Sequence, residues 1–288
     1  MSADKPFDRR LRRLRRDRAA RGFADADYLH RMMADELLDR LGLVSRRFTA
    51  ALDLGCADGY LTQRLRLLGI EVTAADHGFR FAATTQGIAC DEDRLPFADR
   101  SFDLVVSVGV LDSVNDLPGA LTLVRRCLRP DGLFLAAFVG GGSLPRLRSA
   151  LLAADEVEGS AASPRVHPQI DVRAAGDLLG RAGFALPVAD IEDLTVRYSG
   201  LPQLVADLRT MGATNILASR SRKPIGRQGL AAACADFEGA ADADGKTRER
   251  FGIIHLSGWA PSPDQPKPAP RGSGTTSLAA MFPERPKP

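Results

Sequence analysis

Apolar positions along this chain follow two rhythms. Residues 28–41 carry apolar side chains at helical spacing, and the same spacing returns at 117–128. Between and after these stretches lie short, nearly continuous apolar runs, at 50–54, 70–76, 101–107 and 133–139. Runs of this length, rich in β-branched residues, read as strands buried in a parallel sheet. Their alternation with helical segments predicts an α/β fold. Arg129-Pro130-Asp131-Gly132 breaks the helix before the last of these strands. Gly140-Gly141-Gly142 then opens a second half, with helices predicted at 144–154, 172–182 and 201–211 and strands at 191–198 and 251–259. Gly183 supplies a helix stop, and Pro202 falls in a first turn, where proline is tolerated. No internal repeat is present.

The turn after the first strand carries the candidate chemistry. Leu52-Asp53-Leu54-Gly55-Cys56-Ala57-Asp58-Gly59 runs from strand through a glycine loop into a helix, as a nucleotide-binding unit begins. The dinucleotide pattern G-x-G-x-x-G is absent, and G-x-x-x-G stands in its place. Asp53 and Asp58 would repel a pyrophosphate but suit a cationic ligand. S-adenosylmethionine is one, with a sulfonium and an ammonium beside a single carboxylate. Asp76 closes the second strand roughly 20 residues further on, where an acid grips ribose hydroxyls because a carboxylate accepts two bonds at once. Alone, each feature is an ordinary turn or a solvated strand end. Their register together points to a cofactor.

Composition narrows the class. The chain has 288 residues, 44% hydrophobic and 26% charged, ordinary for one or two globular domains. Cys56, Cys90, Cys127 and Cys234 form no C-x-x-C pair, and His30, His77, His167 and His255 form no H-x-D or H-x-E element. No metal site is therefore expected, and the cysteines read as reduced core residues. No run is long enough to span a bilayer, there is no secretory segment, and acids interrupt the arginine-rich start, so a cytoplasmic location is the expectation.

The net charge of +3 is unevenly spread, because residues 1–22 hold nine basic and three acidic side chains. Phe7, Leu11 and Leu14 make this arm an amphipathic helix whose arginines read as a solvated face. It could dock on its own domain, on an anionic inner-membrane surface or on an acidic partner. Nucleic acid is not expected, since the arm has little aromatic interleaving and the rest of the chain is acidic. From Pro261 onward the chain holds eight of its 18 prolines and reads as a linker-like tail, in which 275–282 could dock locally.

The ordered series Leu52-Asp53-Leu54-Gly55-Cys56, Asp76, Asp91 to Phe97, Ser101-Phe102-Asp103 and Leu128-Arg129-Pro130-Asp131-Gly132 resembles class I S-adenosylmethionine-dependent methyltransferases. Phe7-Asp8-Arg9, Val114-Asn115-Asp116-Leu117-Pro118, the Gly140 triplet with Ser143-Leu144, Leu178 to Phe184, Asp207 to Gly212, Gly258-Trp259 and Arg271 to Gly274 extend the resemblance. They are similar to the respiratory complex I assembly factor 5 family and, more distantly, to malonyl-acyl-carrier-protein methyltransferase. The resemblance implies a Rossmann-like α/β fold: a seven-stranded, mostly parallel sheet, helices on both faces, and an antiparallel pair at one edge that includes the final strand. It divides the chain into a basic helical arm (1–45), a methyltransferase-like domain (46–260, with a cofactor half at 48–139 and an acceptor-side half at 140–260) and a tail (261–288).

It also implies roles. Gly55 and Gly59 let the backbone approach the donor, Asp53 orients its amino group, Asp76 holds the ribose, Asp91 accepts from the adenine amino group, and Ser107 lies near the methionine moiety. Cys56 and Glu92 complete the cofactor-side set. Ala57 stands where the family has glycine, and a methyl group is accommodated there if φ is negative. Asp112-Ser113 stand where the family often has His-Trp, which makes Asp112 the candidate catalytic residue at the acceptor end. Asn115 or Asp116 reads as a helix cap. Three functions remain open: methyl transfer in the service of complex I biogenesis, arginine hydroxylation of a complex I subunit on a methyltransferase fold, and non-catalytic binding as an assembly chaperone.

Overall fold

A computed structural model describes residues 5–159, 163–265 and Ser273. Helices α1 (Arg9–Ala19) and α2 (Tyr28–Gly42) precede β1 (Ala50–Leu54), α3 (Tyr60–Leu67), β2 (Glu71–Asp76), α4 (Phe79–Thr84), β3 (Ile88–Ala89), β4 (Phe102–Val108), α5 (Leu117–Cys127) and β5 (Leu128–Val139). The second half adds α6 (Pro145–Val157), α7 (Val172–Arg181), β6 (Ala185–Tyr198), α8 (Leu201–Thr210), α9 (Arg227–Gly239) and β7 (Thr247–Trp259).

The strands form one sheet in the order β3-β2-β1-β4-β5-β7-β6. β1 to β5 pair in parallel, and β7 runs antiparallel between β5 and β6. This is the expected architecture. β6 and β7 both begin earlier than their hydrophobic patterns indicated, because the residues added to β6 are exposed or half-exposed and those added to β7 alternate between buried and exposed. The proposed docking of 275–282 lies outside the described residues.

Alternation along the central strands divides the core between two faces. Leu104, Val106 and Val108 of β4 and Leu133, Leu135 and Ala137 of β5 pack toward α2, α3, α6, α8 and α9. Val105, Phe134, Ala136 and Phe138 point the other way, toward α5 and α7. Period-two geometry makes this split automatic once both faces are covered. The motif acid Asp103 proves structural. It accepts from the Thr49 and Ala50 backbone N–H groups and from Thr49 Oγ1 (2.7–3.1 Å), which ties β4 to the entry of β1.

Helix α1 corrects an expectation. Its arginines do not all form a solvated face: Arg10 and Arg18 are exposed, but Arg12 and Arg16 are only 6% and 8% exposed, whereas Leu14 of the anticipated apolar stripe is 45% exposed. The helix starts on Asp8, whose carboxylate accepts from Leu11 N. It is tethered at Phe7, whose N–H and C=O both pair with the Asn115 side chain. Asn115 is thus an anchor for the arm, and Asp116 is the cap of α5, accepting from Gly119 N at 2.8 Å.

Candidate cofactor and acceptor site

Parallel strands leave their carboxyl ends and the following loops at one edge, where ligands of open α/β sheets bind. Asp53 of β1, Asp76 of β2 and Ser107 of β4 gather there, with Ser107 paired in register beside Leu54. Gly55 and Gly59 adopt φ of +92° and +87°, which glycine tolerates without penalty. A Cβ at Gly55 would lie 2.6 Å from Val110 Cγ1, and one at Gly59 would lie 2.8 Å from Thr85 Cγ2. Both glycines are therefore also demanded by packing inside the protein.

Ala57 departs from expectation. Its φ is +45°, in the left-handed region, so its methyl group is not accommodated through a negative φ. The buried methyl instead packs with Ala19, Phe23 and Phe81 beneath the arm.

The acids differ in their partners. Asp53 is fully enclosed, accepts from Thr62 Oγ1 at 2.6 Å through Oδ2, and leaves Oδ1 without a partner. Burial, helped by the charges of Asp76 and Asp58, pushes its carboxyl up to about 7 despite the Thr62 bond. Ser107 Oγ is likewise buried and unpaired. Burial works against the charge of Asp76, yet Arg16 beside it holds its carboxyl below the usual range. Asp58 pairs with Arg31 at 2.6 Å. Asp91 is bonded by His77 and approached by Arg9, and the His77 bond holds its carboxyl down to about 2 against partial burial. Glu92 takes a two-pronged contact from Arg12 (2.5 and 2.8 Å). Burial drives the Cys56 thiol far up, so it is no nucleophile.

Orphaned polar atoms on Asp53 and Ser107, beside a glycine turn, fit an S-adenosylmethionine donor. Asp53 Oδ1 would offer an acceptor to its ammonium, Ser107 Oγ a second polar contact, and Asp76 a carboxylate for the ribose.

The acceptor side is built differently. A cavity of about 280 Å³ lies between α2, α6, α8 and β5, lined by Leu29, Val139, Leu147, Leu208, Met211 and Phe251 among other apolar residues. Asp112 reaches this cavity, as do Arg165, His167 and Gln169. Burial raises the Asp112 carboxyl to about 6, with the nearby Arg12 charge opposing. Burial also lowers His167 to about 4, so it stays neutral at pH 7. The loop Arg165 to Gln169 separates this cavity from an outer groove of about 960 Å³ that also touches Lys5 and Arg148. Among the described residues, no three His, Cys, Asp or Glu side chains are grouped to hold a metal ion.

Comparison with known proteins bears on this arrangement. Residues 52–136 match the methyltransferase domain family, covering the donor half. The mouse protein named mitochondrial arginine-hydroxylase NDUFAF5 is 37% identical over 287 residues, spanning 96% of this chain and 83% of its own length. The chain belongs to the NDUFAF5 family. A malonyl-[acyl-carrier protein] O-methyltransferase of Coxiella burnetii is 31% identical over 82% of this chain and 83% of its own, so the family borders on proteins named for methyl transfer. A solved phosphoethanolamine N-methyltransferase of Haemonchus contortus shares the fold, with a TM-score of 0.52 at 14% identity, over 84% of this chain and 57% of its own. The fold is that of S-adenosylmethionine-dependent methyltransferases, and no helix among the described residues is long and apolar enough to cross a membrane.

Several residues of the site had no signal in the motifs. Arg9, Arg12 and Arg16 were visible as a charged stripe, but the burial of that stripe was not. His30 lies against Phe23 and near Gly109, and burial lowers it to about 3. His167 and Arg165 come from a loop without periodicity.

Proposed function

We propose that this member of the NDUFAF5 family is a methyltransferase-type enzyme that modifies an arginine side chain of a protein acceptor, a respiratory complex I subunit, in the cavity at Asp112. The observation that carries the reading is Asp112 itself, a carboxylate set beside the carboxyl end of β4 into a mostly apolar cavity whose other polar side chains include Arg165, His167 and Gln169. An arginine side chain has matching chemistry. Its aliphatic stem suits Leu208, Met211 and Phe251, and its guanidinium forks onto a carboxylate. The name of the mouse relative, arginine-hydroxylase, supports the same acceptor.

Asp53, Ser107 and Asp76 would hold the donor, which when bound supplies an electrophilic methyl group. The protein's task is mainly to align the acceptor atom with it, an effect worth roughly 7–11 kcal/mol in well-oriented reactions. Asp112 holds the guanidinium, the apolar walls exclude water, and His167, neutral at pH 7, adds no competing charge. Hydroxylation is the second reading, favoured by the name of the mouse relative. Intact-mass measurement of a complex I subunit incubated with the protein, S-adenosylmethionine, dioxygen and a two-electron reductant separates the two, since hydroxylation inserts one oxygen atom of dioxygen and releases the other as water. A gain of one methylene supports methyl transfer, and a gain of one oxygen supports hydroxylation. No change with wild type and Asp112→Asn alike defeats both in favour of a binding role.

A further inference from the structure

Three arginines of α1, at positions 9, 12 and 16, lie on one side of the helix because spacings of three and four residues return to the same face. Each meets one of the acids expected to receive the nucleoside. Arg9 contacts Asp91 at 3.3 Å, Arg12 grips Glu92 through both oxygens, and Arg16 grips Asp76 through Nε (2.8 Å) and Nη2 (2.5 Å). Arg16 also lies over the Phe81 ring, 5.0 Å from its centroid.

Asp76 is the decisive group. A carboxylate offers about four acceptor positions. Asp76 Oδ1 already takes Arg16 Nε and Gly78 N, and Oδ2 takes Arg16 Nη2 and Ala57 N. Its exposure is 0%. A ribose diol that needs two bonds from this carboxylate can obtain them only if Arg16 withdraws. The space left around Arg9, Arg12, Asp91 and Glu92 is about 10 Å³, far too small for a purine.

We propose that α1 is an internal competitor for the donor: its arginines occupy the nucleoside subsite, and the donor binds by exchanging with Arg16 at Asp76. This rests on the donor reading of the pocket. It assigns the basic arm a task within its own domain, as a gate whose closed state is the structure described above. The tethers at Phe7 and Asn115 remain outside the exchange, so the gate opens from the Ala19 end of the helix, or by swinging the Arg16 side chain.

The test is titration calorimetry of S-adenosylhomocysteine against wild type and Arg16→Ala, together with hydrogen exchange across α1 in wild type. Exchange needs no variant and so stands even if Arg16→Ala folds poorly. The gate predicts at least ten-fold tighter binding by Arg16→Ala, and faster exchange at residues 13–19 of wild type when ligand is added. Equal or weaker binding by a folded Arg16→Ala, or slower exchange in α1, overturns the gate and leaves the donor reading intact. Absence of binding by both proteins overturns the donor reading and the gate with it.

Discussion

The two ends of the site solve opposite problems. At the donor end, the acids are buried or half-buried and almost every one already has a cation: Arg16 on Asp76, Arg12 on Glu92, and Arg9 on Asp91, which His77 also contacts. At the acceptor end, one carboxylate stands in a mostly apolar cavity that His167 and Gln169 also line, and the cavity's Arg165 is taken by Asp155. A buried ion pair is costly to break because the partner left behind remains desolvated. An apolar cavity is inexpensive to fill and empty. The donor end is therefore a switch held by charge, and the acceptor end is a receptacle shaped by packing.

The largest expected effect breaks the charged end. Asp76→Ala leaves Arg16 buried without its anion and should cost about 3–5 kcal/mol in urea unfolding. A loss below about 1 kcal/mol would mean that Arg16 finds water readily and that the donor end is not closed. Asp53→Asn comes next and acts through pH. The folded-state carboxyl is raised to about 7, above its ordinary value near 4. Its contribution is therefore fully present below about pH 4 and lost as pH rises through 7. Each tenfold difference in proton affinity between folded and unfolded chains is worth about 1.36 kcal/mol. Removing the titration should therefore stabilise the variant relative to wild type by about 2–4 kcal/mol more at pH 8 than at pH 4. A parallel pair of stability–pH curves would show that Asp53 is solvated.

At the apolar end the expected effect is on binding. With its carboxyl raised to about 6, Asp112 ionises as pH rises through that value, so capture of an arginine peptide should strengthen from pH 5 to 7. Asp112→Asn should weaken that capture about ten-fold, or about 1.4 kcal/mol, and flatten the pH profile. An unchanged affinity at pH 7 by fluorescence titration would remove Asp112 from the acceptor site.

What the sequence disclosed follows the same division. The strands were legible because continuous apolar runs between turn signals have few other readings, and Asp53, Gly55 and Asp76 were legible because topology alone puts strand ends together. The state of those acids was not. Nothing in the pattern of Arg9, Arg12 and Arg16 distinguishes a solvated stripe from a buried one, since the distinction lies in acids about 60–80 residues away whose spatial position depends on the finished sheet. Likewise α9 escaped notice because its alanine-rich face packs on α6 without a strong hydrophobic period. The acceptor cavity draws its walls from α2, α6, α8 and β5 at once, and no local window contains it.

Ala57 offers the finest probe of the comparison, because it touches both strain and the arm. Its φ of +45° costs an L-residue roughly 1–2 kcal/mol, which glycine avoids. Against this, the methyl packs on Ala19, Phe23 and Phe81, and losing one buried carbon forfeits about 0.8 kcal/mol. Glycine's greater freedom in the unfolded chain takes roughly 0.5–1 kcal/mol more. The terms nearly cancel, so Ala57→Gly should change unfolding free energy by less than about 1 kcal/mol. Its signature lies elsewhere: the lost contact is with the arm, so exchange should quicken at Ala19 while the β1 and β4 amides keep their protection. If Ala19 instead keeps its wild-type protection, the arm is held by its arginines alone and the packing beneath it contributes nothing to the closed state.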